Sequence, residues 1–201
     1  MRISDAIPEM ADIVFALSGR SLPEAYAFHL WCAVESVLPW LEAEEYAGIL
    51  PLRTSASGEG ALLPQRARLV LRVPVELLPQ AQQMSGQMLD VGGHNLSVGT
   101  AKERPLQAHS TLHAHLVASA EPEENFLSSV AAELRGMGVM CKWICGKHMT
   151  IAGERPINGY SLVLHDLKPQ DSLLMQFVGL GTERRYGCGI FVPYKFIPNL
   201  D

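Results

Sequence analysis

Val178-Gly179-Leu180-Gly181-Thr182-Glu183-Arg184-Arg185-Tyr186-Gly187-Cys188-Gly189-Ile190-Phe191-Val192-Pro193 sets four glycines around a basic, aromatic centre and ends in an apolar strand. Glycine lets the backbone take positive φ and approach another molecule closely. Amides in such a loop hydrogen-bond anions, and Arg184 and Arg185 add fixed positive charge. A phosphate backbone suits that combination. A helix-to-strand turn carrying solvated arginines suits it equally well. The spacing excludes a Walker motif, because no Gly-Lys-Ser/Thr follows. The order helix, loop, strand is the reverse of a dinucleotide fingerprint.

Outward from this loop, the second half of the chain reads strand (110–119), helix from Pro122 to Gly136, two strands (139–151 and 158–167), helix (171–175) and final strand (190–192). Phe126, Val130 and Leu134 share one helical face, and Gly153-Glu154-Arg155-Pro156 joins the two middle strands. The first half repeats the order. A buried strand over 12–18 precedes a helix for which Ser21 is the expected N-cap and Pro23 the first turn, ending before Pro39. At ~100° per residue Ala27, Leu30, Val34 and Val37 on that helix, and Leu41 just beyond it, fall on one apolar stripe, with Tyr26, His29 and Ala33 on its border. Strands over 48–54 and 67–73, a short helix opened by Pro74, and a hairpin broken at Gly92-Gly93 complete the set. Arg68 and Arg72 are placed on one strand face with Val70, and 54–60 as a small polar loop. Each half has the element order of a ferredoxin-like unit. No residue-level repeat links them.

The loop resembles the glycine-rich loop of the CRISPR repeat-processing endoribonucleases, the Cas6 family, and is most similar to its Myxococcus-type (MYXAN) branch. Phe15-Ala16-Leu17-Ser18-Gly19-Arg20-Ser21-Leu22-Pro23, Leu38-Pro39-Trp40-Leu41 and Leu89-Asp90-Val91-Gly92-Gly93-His94 carry the same resemblance in the same order. It implies an α+β chain of two tandem ferredoxin-like (RRM-like) folds with antiparallel sheets. These are placed at 1–107, bearing the candidate catalytic helix, and 108–201, bearing the glycine-rich loop.

Composition sets limits. At 201 residues and 48% hydrophobic the chain is an ordinary globular protein. It has no apolar run long enough to span a bilayer, and Asp5, Glu9 and Asp12 stand where a signal peptide needs a basic patch. The expected location is cytoplasmic. Cys141 and Cys145 lack a second pair to complete a zinc site, and Cys32 and Cys188 stand alone, so buried thiols are expected. The net charge of −5 counts against nucleic-acid binding, but its distribution matters more than its sum. Acids gather at 42–45 and 121–124. Arg66, Arg68, Arg72, Lys102, Arg104, Lys142, Lys147, Arg184 and Arg185 lie elsewhere, as for a molecule with one acidic and one basic side.

The resemblance implies metal-independent RNA cleavage, in which a 2′-hydroxyl attacks the adjacent phosphate and leaves a 2′,3′-cyclic phosphate and a 5′-hydroxyl. The chemistry needs a base, an acid and charge on the phosphate, and histidine serves both proton transfers. The family histidine is expected on or just before the first helix, facing the glycine loop. Here the aligned position holds Tyr26, and His29 follows one turn later on a shared face. His29 is therefore the candidate base and Tyr26 the candidate group orienting the 2′-hydroxyl or donating to phosphate, since a phenol near pKa ~10 is a poor base. Gly179, Gly181, Gly187, Gly189, Arg184 and Arg185 are the candidate RNA-binding loop. Lys142 and Lys147, flanking Trp143, are candidate backbone contacts, with a core tryptophan between exposed lysines equally compatible. His113 and His115 lack the carboxylate or thiol that would complete a metal set and read as sheet-surface residues. His94 reads as a hairpin-turn residue and His165 as a strand-surface one. No cofactor or metal is expected. The expected partners are a CRISPR repeat stem-loop and, by family analogy, other subunits of a surveillance complex. A non-catalytic RNA-binding subunit and a small-molecule-binding ferredoxin-like domain remain open alternatives.

Overall fold

A computed structural model describes residues 7–57 and 60–194. In chain order the elements are β1 (Met10–Ser18), β2 (Ser21–Leu22), α1 (Tyr26–Val37), β3 (Gly48–Ile49), β4 (Ser55–Ser57), β5 (Gly60–Leu62), β6 (Arg68–Pro74), α2 (Leu78–Ala81), β7 (Met88–Val91) and β8 (His94–Pro105). They continue with β9 (Thr111–Ala118), α3 (Glu123–Gly136), β10 (Lys142–Ile151), β11 (Ile157–His165), α4 (Pro169–Val178) and β12 (Phe191–Pro193).

Two antiparallel sheets carry the fold. The first has strand order β3-β6-β1-β8-β7, and the second β10-β11-β9-β12. With β7 set aside as the outer arm of the Gly92-Gly93 hairpin, both sheets place their strands 2-3-1-4, the ferredoxin-like arrangement. Each sheet has its own core. Ile13, Phe15, Leu69, Leu71, Leu96 and α1's Leu30 and Val34 pack in one. Leu112, Leu162, Leu164 and α3's Phe126, Val130 and Leu134 pack in the other.

Three local expectations change. Ser21 does not cap α1: it pairs with Leu62 in a separate sheet of order β2-β5-β4, and its hydroxyl lies 3.0 Å from His94 Nδ1. The helix starts later, behind Ala25, without a side-chain cap. The stretch placed as a polar loop over 54–60 supplies β4 and the start of β5, with 58–59 outside the described residues. Asp5, used above against a signal peptide, also lies outside them.

Arg72 is the third. It is not part of a basic surface but fully buried. Its Nε and Nη2 donate to Asp12 Oδ1 and Oδ2 at 2.8 and 3.3 Å, while Nη1 donates to the carbonyls of Gln176 and Phe191 at 3.1 and 2.6 Å. Arg104 donates to Asp12 Oδ2 at 2.7 Å. A buried guanidinium is tolerated only when its charge and donors are satisfied. Here Asp12 on β1 balances the charge within the first sheet, and the bonds from Nη1 to the α4 and β12 carbonyls fix the two sheets against each other.

Candidate functional site

The glycine loop leaves α4 at Gly179 and returns to β12 after Ile190. Gly179 and Gly189 have φ of 70° and 65° and face one another. A Cβ on Gly179 would lie 2.2 Å from the Gly189 carbonyl oxygen, and one on Gly189 would lie 2.0 Å from that of Leu180. The glycines thus serve close packing of the loop on itself. Their amides are spent inside the protein. Gly179 N–H donates to Met175 O, Gly187 N–H to Arg184 O and Gly189 N–H to Leu116 O, at 3.0, 3.0 and 2.7 Å. The Gly181 N–H donates to Glu133 Oε2 at 3.3 Å. The expected cradle of free glycine amides is therefore not formed.

The two loop arginines part company. Arg184, expected at the surface, is buried at 7% exposure. Its Nε donates to Tyr46 O at 3.0 Å, Nη1 to Val178 O at 2.9 Å and Nη2 to Phe177 O at 3.3 Å. Burial first, and the nearby Arg72 charge second, bring its guanidinium down to about 10, still cationic at neutral pH. It is a clamp on the end of α4, where unpaired carbonyls and the helix dipole favour a cation. Arg185 turns outward. Its guanidinium carbon lies 5.5 Å from the Tyr186 ring centroid and 5.9 Å from that of Trp31, within cation–π range. Its Nε is 3.8 Å from Glu183 Oε2, a weak exposed pairing.

An aromatic clasp holds this loop to α1. Phe28 and Tyr186 have ring centroids 4.3 Å apart, and Trp31 meets Tyr186 edge-on at 6.5 Å. The β10–β11 turn also closes on Phe28, where a Cβ on Gly153 would lie 2.4 Å from the ring. Between these parts opens a groove of about 680 Å³, lined by Phe28, Ser119, Arg155, Asn158, Thr182 and Arg185 among others. Arg155 and Arg185 supply its positive charge and Glu183 a carboxylate. Arg155 was not singled out by sequence. Its turn was recognisable, but only the folded chain shows that the turn reaches α1.

The two helix candidates, one turn apart at the start of α1, meet different neighbours. Tyr26 lines a small crevice with Pro51, Arg185 and Tyr186, on the loop side. Burial raises the phenol above its usual value, partly offset by a backbone hydrogen bond from Leu52, so the group stays protonated. His29 lines neither cleft. It is exposed, and its ring lies against the β7–β8 turn, where a Cβ on Gly92 would come within 2.9 Å of His29 Cδ2. Successive helical residues point ~100° apart, so Phe28 takes the loop-facing position and His29 turns from it. Lys142 and Lys147 are exposed on β10, an edge strand of the second sheet. Lys142 pairs with Asp166 at 2.9 Å. Neither lysine lines the groove.

The remaining histidines and thiols are quieter. His113 and His115 on β9 are both pushed below the usual imidazole value, chiefly by burial, and so are neutral at pH 7. Among the described residues no three His, Cys, Asp or Glu side chains gather as a metal-ligating group. Burial raises Cys188 to about 12 and Cys141 to about 11. No helix among the described residues is long and apolar enough to cross a membrane.

Comparison with known proteins agrees with this architecture. The family model described as Cas6 Crispr matches residues 11–196. A CRISPR-associated endonuclease Cas6 from Myxococcus xanthus is 29% identical over 186 residues, covering 90% of this chain and 80% of the relative. Among solved structures, an RAMP protein described as binding different RNA substrates superposes with a TM-score of 0.66 at 12% identity, over 92% of this chain and 100% of that one. A CRISPR associated protein Cas6 gives 0.64 at 12% identity, over 93% and 100%. A Cas6-related protein from Pyrococcus furiosus gives 0.62 at 13% identity, over 94% and 99%. At these identities the structures speak for the tandem ferredoxin-like fold alone.

Proposed function

The chain belongs to the CRISPR-associated Cas6 family, and from that premise we propose that it is an endoribonuclease that cuts CRISPR repeat RNA beside or at the base of a hairpin. The observation that carries the proposal is the clasp between Phe28 and Tyr186, 4.3 Å apart, which sets outward-facing Arg185 and Arg155 on one groove beside the first helix. An A-form stem read by shape needs guanidinium groups spaced along a cleft rather than a base-reading helix. Residues 108–201 form nearly all of that cleft, and residues 1–107 border it through Phe28 of the candidate catalytic helix. Arg185 and Arg155 hold phosphate, and the glycines act indirectly by fixing the loop that carries Arg185. Lys142 and Lys147 contact RNA away from the groove.

The reaction we assign is metal-independent. The 2′-oxygen attacks the adjacent phosphorus, the bond to the 5′-oxygen breaks, and a 2′,3′-cyclic phosphate and a 5′-hydroxyl remain. His29 takes the 2′-hydroxyl proton. Tyr26, protonated and on the loop side, orients the sugar or donates to a phosphate oxygen. The RNA must then bend around the first turn of α1 to meet both Arg185 and His29. The product hairpin stays bound and enters a surveillance complex with other subunits. The test is cleavage of the cognate repeat in EDTA. Undiminished cutting with a cyclic phosphate product is expected, and loss of cutting on chelation contradicts the mechanism.

One observation favours a second reading, a non-catalytic RNA-binding subunit. The tyrosine lies beside Arg185 and Tyr186, where the family's histidine is expected, while His29 lies against the β7–β8 turn and lines neither cleft. Tight repeat binding with no product over hours selects it.

A further inference from the structure

The corner that receives His29 holds a second imidazole. His94 opens β8 directly after the Gly92-Gly93 turn and pairs across the hairpin with Val91. Directly opposed residues of an antiparallel pair project to the same sheet face. Val91 is fully buried in the core cluster that includes α1's Leu30, so His94 projects toward α1. There its Nδ1 lies 3.0 Å from the Ser21 hydroxyl, in the segment leading into α1. His29 reaches the same turn from the helix side, beside Pro23, whose Cγ would be 3.1 Å from a Cβ on Gly92. The turn is held by the Gly93 N–H donating to Asp90 Oδ1 at 2.7 Å. Gly93 has open space where a side chain would stand. One exposed imidazole, one half-buried imidazole oriented by a hydroxyl, and a bare backbone turn therefore border one small patch.

We propose that His94 is the general acid of the cleavage reaction, paired with His29 as base across the Gly92-Gly93 turn; this rests on the endonuclease reading above. Imidazolium donates from both ring nitrogens. Protonated His94 gives its Nδ1–H to Ser21 Oγ and presents Nε2–H to the leaving 5′-oxygen. The 2′-hydroxyl proton passes to neutral His29 as the 2′-oxygen bonds to phosphorus. The bond from phosphorus to the 5′-oxygen breaks as that oxygen takes the His94 proton. One proton is taken and one given, and exchange with water restores both rings. Ser21 is a positioning residue, fixing which nitrogen of His94 faces the substrate.

The test uses the full chain and its cognate repeat, with the wild-type cut mapped first. His94→Gln, which keeps a polar group for Ser21, and His94→Ala are compared with His29→Ala in single-turnover cleavage and in RNA affinity. Loss of a general acid should slow cutting roughly a hundredfold or more with affinity within about twofold. A repeat carrying sulfur in place of the bridging 5′-oxygen at the cut needs no acid, because a thiolate leaves unaided. The His94 variants should cut that RNA within about threefold of wild type, whereas His29→Ala stays slow on both. Wild-type rates in the His94 variants, or an equal defect on both RNAs, overturn the assignment and leave the endonuclease reading standing. A wild-type chain that binds the repeat and never cuts it overturns both.

Discussion

Arg72 and Arg184, carried by the first sheet and by the glycine loop respectively, converge on the last turn of α4. Arg72 donates to Gln176 O, and Arg184 donates to Phe177 O and Val178 O. Two guanidinium groups thus occupy three successive carbonyls at a helix C-terminus, where such carbonyls lack intrahelical partners. They hold Gly179 in place, and with it the loop that carries Arg185. The like charges tolerate this proximity because Asp12 neutralises Arg72 and the helix end favours cations.

Arg184→Ala should therefore act on stability. Carbonyls of Tyr46, Phe177 and Val178 lose their donor in a buried setting, which costs on the order of 3 kcal/mol. Arg184→Lys should recover little, because an ammonium cannot reproduce the planar fork. Urea unfolding midpoints measure this. A midpoint within error of wild type for Arg184→Ala would remove the clamp from the account.

Asp12→Ala should be at least as damaging. It strands a fully buried Arg72 without its counter-charge, and breaking one side of a buried pair costs about 3–5 kcal/mol. Calorimetric unfolding of the variant measures it. A loss below about 1 kcal/mol would mean that the Gln176 and Phe191 carbonyls alone satisfy Arg72.

Arg155→Ala should leave unfolding unchanged and Arg185→Ala should cost no more than about 1 kcal/mol, its cation–π contacts, while both weaken repeat RNA uniformly across sequences. If each neutralises one phosphate, the slope of log K against log salt should fall by about 0.7–0.9 per substitution. Titrations at several salt concentrations decide this. An unchanged slope for either variant takes that residue off the RNA.

The cysteines should separate by pH. Cys32 is exposed, whereas Cys188 is buried and raised to about 12. Thiolate is the reactive form, so iodoacetamide at pH 8 should label Cys32 well before Cys188. Cys141, raised to about 11 by burial and then by Asp171, should react faster with each pH step until pH nears that value. Mass spectrometry of the labelled chain reads both. Rapid labelling of Cys188 in the folded protein would contradict its burial.

Hydrophobic periodicity and glycine placement sufficed for the twice-repeated strand–helix order, the Gly92-Gly93 hairpin and the α3 face of Phe126, Val130 and Leu134. These are local properties, fixed by the period of each element and by the backbone freedom of a turn. The neighbours Arg184 and Arg185 were indistinguishable in sequence, yet one is a buried helix clamp and the other faces a groove. Ser21 looked like a helix cap and became a strand residue facing His94, while Arg155 looked like turn filler and came to line the groove. Which way a charged side chain turns depends on which carbonyls, carboxylates and rings distant segments bring to it. That is a sum over long-range contacts that no window of sequence contains, and packing the two sheets together decides it.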